Sequence, residues 1–161
     1  MFRHSLRVLI LNCTSGRSEA TFLATIKKSL TTGNLNDSAF FDHVIFSTNV
    51  TYDGNSRSGA WQSAQCSPHS KLHSILDLTT KEALTVELSP QQALSVAWSS
   101  LFPDFNPSHI HVLPSIERAI REVERISTIS SKPVQVLVTG SLHLVGGVIE
   151  VAGLSELALL V

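Results

Sequence analysis

Hydrophobic positions along the chain fall into two rhythms. Short, nearly continuous apolar runs occur at Val8 to Leu11, His43 to Phe46 and Val134 to Val138, with a weaker one at Ile110 to Leu113. Runs of this length, rich in β-branched residues, read as parallel strands buried on both faces. Between them apolar residues recur every three or four positions, the spacing of an amphipathic helix. The first such stretch, Ser18 to Leu30, puts Phe22, Leu23, Ile26 and Leu30 on one face, with Glu19 at its start and Lys27 and Lys28 near its end to complement the helix dipole. The second opens at Ser89, where Ser-Pro-Gln-Gln reads as a cap residue, a proline at the first helical position and Gln92 at the capping-box position. Its apolar stripe is Leu94, Ala97, Trp98 and Leu101. The third starts after Pro114 with Ser115 as cap, buries Ile116, Ala119, Ile120 and Val123, and sets Glu117 four residues before Arg121 on the wet side. The fourth begins near Ser141, directly after a strand, and carries Leu144, Val145, Val148 and Ile149 to about Gly153.

Strand and helix alternate, which predicts an α/β fold: a Rossmann-like, mostly parallel sheet with helices on both faces, joined by crossovers. The stretch from Tyr52 to Ser89 breaks this rhythm with DGNSRSG and QCSPHS and reads as a surface insertion at about 53–88, with a short helix around Leu72 to Leu78. Neither an internal repeat nor a linker interrupts residues 1–161, so one domain is expected.

Composition narrows the partners. With 161 residues and 43% hydrophobic side chains the chain has material for one sizeable core. A net charge of −1 and 16% charged residues give no field to draw in nucleic acid or an anionic membrane, which leaves small molecules or protein surfaces. Cys13 and Cys66 lack CxxC spacing and read as plain thiols of a reducing compartment. The apolar run near the N-terminus is too short to span a bilayer and continues into a strand pattern.

The most informative segment for chemistry is Val134 to Gly147, where a buried strand feeds a helix through Thr139-Gly140-Ser141. Such a turn directs helix N-terminal amides toward the carboxyl edge of a sheet, where ligands of open α/β folds bind, and suits a carboxylate or phosphate. The plainer reading is that Thr139 or Ser141 caps the helix, as in many turns that touch no ligand. Gly146 and Gly147 each weaken a helix by about 1 kcal/mol relative to alanine, which points to close approach of helix to sheet. At the same edge Arg17 offers a guanidinium fork, Asn12 and Thr14 neutral hydrogen bonds, and Asn49 a side chain that lines the crevice or only shapes the exit turn. Of seven histidines, His109 and His111 share a strand face and His69 and His73 a helix face, with no third ligand at suitable spacing; no metal site is assigned. Cys13 or Ser141 as a nucleophile lacks a supporting elbow or motif, so no catalytic residue is assigned.

The string VLVTGSLHLVGGV resembles the C-terminal signature of eukaryotic folylpolyglutamate synthases, relatives of the Mur ligases. Leu9 to Arg17 and Phe41 to Tyr52 are similar to family segments in the same order. The resemblance implies a C-terminal domain of the Mur ligase type, here as a fragment whose sheet lacks its first strand, since no Asp-Gly-Ala-His motif precedes Leu9. A sheet short of a strand has an open edge, and poor solubility or association follows. The resemblance further implies ATP-dependent addition of glutamate to tetrahydrofolate polyglutamates with Mg²⁺: a γ-carboxylate becomes an acyl phosphate and the amine of glutamate attacks it. No GxxxxGK[ST] loop occurs, so ATP and Mg²⁺ are expected to bind only in the complete enzyme, against a Mur-type ATP-binding domain. The substrate- or nucleotide-facing positions are Asn12, Thr14, Arg17, Asn49, Thr139 and Ser141. Family members work in the cytosol and mitochondria. The other reading is a non-catalytic domain, derived from such a ligase, that binds a small molecule or a protein.

Overall fold

The computed structural model describes residues 5–13, 18–32, 40–53 and 87–158. The insertion read at about 53–88 and its short helix, His69, His73 and Cys66, and the loop positions Thr14 and Arg17 lie outside them, apart from Asp53, Glu87 and Leu88. The elements run β1 (Leu6–Leu11), α1 (Glu19–Thr32), β2 (His43–Ser47), α2 (Ser89–Leu101), a 3-10 turn (Pro107–His109), β3 (Ile110–Leu113), α3 (Ile116–Ser130), β4 (Val134–Thr139), α4 (Leu142–Val151) and α5 (Ser155–Ala158). All four strands are parallel, in the order β3-β2-β1-β4. The α/β, Rossmann-like fold class read from the alternation is what the chain adopts.

Strand β1 divides the core. Leu9 and Leu11 face α1 and α2, where they join Leu23, Leu30, Leu94 and an aromatic group around Trp98, Phe102 and Phe105. Val8 and Ile10 face α3 and α4, where they meet Ile116, Ala119, Leu144 and Val148. Helices therefore cover both faces, as a parallel sheet requires. On α3 the expected details hold: Ser115 Oγ accepts from the Arg118 amide at 3.2 Å, and Arg121 pairs with Glu117 at 2.6 Å.

Four readings are corrected. The run Val134 to Val138 is not fully buried: among the described residues β4 is an edge strand bordered by β1 alone, and Val136 and Leu137 are 40% and 51% exposed. Ser89 does not cap α2; Leu88 holds that position without a side-chain bond, Ser89 is already helical, and its hydroxyl donates to Glu87. Lys27 and Lys28 fall short of the last turn of α1, which runs on to Thr32, and do not complement its dipole there; Lys27 Nζ donates to the Leu101 carbonyl of α2 at 2.8 Å, over the Phe102 ring. The close approach at Gly147 is to Ile116 of α3 rather than to the sheet, while Gly146 faces open space.

At the amino edge of the sheet three histidines meet. His43 Nδ1 lies 3.3 Å from His111 Nε2, and the His109 ring stacks on His43 with centroids 4.2 Å apart. Burial, then the neighbouring His109 and His111, lowers the His43 pKa to about 4. Burial also lowers that of His111, against the opposing pull of Glu122. Cross-strand register brings His43 into a group of which sequence spacing shows only two members.

These contacts carry two predictions. A methyl group at Gly140, whose φ is +104°, meets the Asn12 carbonyl, which is backbone and cannot yield. Gly140→Ala is expected to cost about 3 kcal/mol or more in urea unfolding, whereas Gly147→Ala costs no more than about 1 kcal/mol because the flexible end of Ile116 moves aside and alanine favours the helix. A folded pKa below the unfolded value near 6.5 means stability that is complete above that pH and lost as pH falls toward 4. In chelator-treated buffer the thermal midpoint of the native chain should therefore fall between pH 6.5 and 4 more steeply than that of His43→Asn.

Candidate functional site

The chain leaves β1 for β2 and β3 on one side and returns to β4 on the other, so the strand order reverses between β1 and β4. Beyond the carboxyl ends of these two strands lies the switch point at which open α/β sheets bind ligands. Asn12 follows β1 there, and Thr139, Gly140 and Ser141 stand at the end of β4. The Asn12 amide reaches the Thr139 carbonyl at 3.5 Å, which carries the ladder one step past the strands. Gly140 then passes against the Asn12 carbonyl in a backbone conformation that a side chain would not tolerate.

Three side-chain amides form a directed chain across this edge. Gln91 Nε2 donates to Asn12 Oδ1 at 3.2 Å, and Asn12 Nδ2 donates to Asn49 Oδ1 at 3.0 Å. Each donation fixes the orientation of the next amide, and the acceptor left at the head of the chain, Gln91 Oε1, is buried with no partner among the described residues. Gln91 is 5% exposed and Asn12 4%. Ser141 Oγ is also buried and unpartnered, and although Ser141 occupies the N-cap position of α4 its side chain makes no capping bond. The capping explanation for Ser141 therefore fails, and Thr139 sits within β4.

Helix α3 starts differently. There the amides of Ile116 and Glu117 donate to the carbonyls of Val50 and Thr51, and Arg118 to Ser115 Oγ, so that helix start is fully occupied by its own protein. The exit from β2 is held in the same way: Thr48 Oγ1 donates to the Pro114 carbonyl and accepts from the Val50 amide. Beside Gly140, the Phe22 ring forms one wall of an open cavity of about 460 Å³ with Ser18, Thr21 and Thr25 at the start of α1.

Of the positions read from sequence, Asn12 and Asn49 are joined by a hydrogen bond, and Thr139 and Ser141 stand at the adjoining strand exit. Gln91 is the residue that sequence reasoning missed. Its signal was available, since it lies three residues before Leu94 and seven before Trp98, on the buried stripe of α2 where a polar residue needs a reason. Buried polar atoms without partners cost free energy that a ligand donor or acceptor recovers. Among the described residues, no group of three or more His, Cys, Asp or Glu is arranged to hold a metal ion, and no helix is long and apolar enough to cross a membrane.

These bonds separate a structural role from a binding one. Asn12→Ala strands both of its neighbours and should cost about 1–3 kcal/mol in chemical unfolding. Ser141→Ala removes a hydroxyl that bonds to nothing and should change stability by less than about 0.5 kcal/mol, where loss of a true cap costs about 1 kcal/mol.

No family model matches the chain, and no solved structure matches it. Folylpolyglutamate synthases from three strains of Saccharomyces cerevisiae are each 35% identical to it over 111 residues. The match covers 69% of this chain and 17% of each relative, so the chain spans well under a fifth of their length. Over those 111 residues, most of its own length, the chain is similar to a part of folylpolyglutamate synthase.

Proposed function

We propose that the chain is the small α/β domain of an ATP-dependent ligase that joins glutamate to tetrahydrofolate polyglutamates, and that it is inactive alone. The observations that carry this reading are the amide chain headed by the unpartnered Gln91 Oε1 and, at the exit of β4, the unpartnered Ser141 Oγ at the N-cap of α4. Gln91 Oε1 requires a donor, which an ammonium group supplies. Ser141 Oγ and the positive end of α4 favour a carboxylate. A ligand with both groups is an amino acid, and similarity to folylpolyglutamate synthase makes glutamate the first choice.

The described groups at this crevice are neutral amides and hydroxyls, which do not match the charge of a triphosphate. ATP and Mg²⁺ therefore belong to the ATP-binding domain of the complete enzyme. The part of this chain is to position glutamate: the amide chain fixes where its amine sits, and burial of Asn12 and Gln91 keeps water from competing for the same hydrogen bonds. An amine held as ammonium is not nucleophilic, so attack requires its proton to leave, and no described side chain of the crevice is a base.

The test combines calorimetry with reconstitution. The chain, shown to be folded by circular dichroism, is titrated with ATP–Mg²⁺, tetrahydrofolate diglutamate and glutamate, then mixed with an ATP-binding portion of the synthase and assayed for glutamate ligation. The expected result is no tight ATP binding and no turnover alone, ligation on mixing, and a rise of about tenfold or more in KM for glutamate in Gln91→Ala. Tight ATP–Mg²⁺ binding by the chain alone, or ligand binding with no turnover in any mixture, would favour the non-catalytic binding domain instead.

A further inference from the structure

We propose that His43 and His111 together hold one borderline divalent cation of the zinc, nickel or copper(II) class at the amino edge of the sheet, the end opposite the crevice. The two ring nitrogens that face each other, Nδ1 of His43 and Nε2 of His111, are 3.3 Å apart. Two imidazole nitrogens bound to one tetrahedral ion with bonds of about 2.0–2.1 Å lie about that far from each other. In the metal-free pair one of the two nitrogens must carry a proton for the contact to be a hydrogen bond. A cation takes both lone pairs and releases that proton to solvent. The ring centroids are 5.5 Å apart, so the rings meet nearly head on, and ligation requires each to turn by about 35° toward a common point.

The surroundings are those of a ligand pair rather than of two packing residues. His111 Nδ1 lies 3.4 Å from Glu122 Oε1, and Glu122 is itself gripped by both Nε and Nη2 of Arg125. A carboxylate beside one ring nitrogen electrostatically favours the tautomer with its proton there and the other nitrogen bare, and a short approach would make the carboxylate–histidine support of a metal-ligating imidazole. On the far side, His109 Nδ1 donates to the Asp42 carbonyl at 2.9 Å and its ring stacks on His43, which limits rotation of that ring. Imidazole selects zinc, copper and nickel over magnesium and calcium. With two protein ligands, water completes the coordination shell and the ion exchanges. Its mechanical effect is to tie β2 to β3, a four-residue outer strand.

The site is read out by titrating Zn²⁺ into the chelator-stripped full chain, by calorimetry and by imidazole NMR. One ion per chain is expected, with the largest ring shifts at His43 and His111, and a zinc-dependent rise in thermal midpoint. His43→Asn combined with His111→Gln should weaken binding by more than tenfold, and Glu122→Gln by about 10–100-fold, while His143→Asn, on an exposed part of α4, leaves it unchanged. Undiminished binding in the double variant overturns the proposal. So does the absence of zinc-dependent shifts at these two rings in the unaltered chain, a measurement that holds even if the variants do not fold.

Discussion

The architecture hangs on one strand with two neighbours and no exposed face. Val8, Leu9, Ile10 and Leu11 of β1 are fully buried, alternate side chains feeding the two halves of the core, and the backbone bonds to β2 on one flank and β4 on the other. Because β1 is held on all sides, its end is also held. The strand gives out at Asn12, and that residue is fixed relative to the exits of both neighbours. The crevice is therefore a property of the sheet, and its polar groups are as rigid as the strands that end in it.

Rigidity explains why the polar groups are amides. A buried carboxylate or ammonium at this position would need a partner of opposite charge, whereas an amide satisfies its neighbour and hands on a donor or acceptor of defined sense. Asn12, Asn49 and Gln91 come from three different parts of the chain, and their two hydrogen bonds set a polarity that ends in a single acceptor. Closeness of backbone does the rest: Gly140 lets the turn after β4 lie against Asn12, which brings Ser141 to the same edge.

Much of this was legible in the sequence because local rules and tertiary needs agree. The four strands, the apolar stripe of α1, and the Ser115 cap with its Glu117–Arg121 pair come from periodicity and capping chemistry alone. The failures depended on neighbours. Val134 to Val138 has the composition of an interior strand, yet composition does not say that, among the described residues, one strand alone lies beside it. Ser89 satisfies a capping pattern that the helix ignores by starting one residue earlier than the pattern allows. Gln91 was legible in principle, as a polar interruption of a buried stripe, but its partner lies seventy-nine positions away in the chain. The histidine group needed the register of β2 against β3, which places His43 beside His111, sixty-eight positions later in the chain.

The pairing of β1 with β4 also sets the order in which the molecule can be assembled. Leu6 finds its partner Val134 across almost the whole length of the chain, and closing so long a loop is the slowest kind of contact to form. A ribosome releases β1 early and β4 late. During that interval β1 has at most β2 for a neighbour, and its other flank stays unpaired. The crevice between β1 and β4 is thus among the last features to appear, after the cores on either side have somewhere to condense.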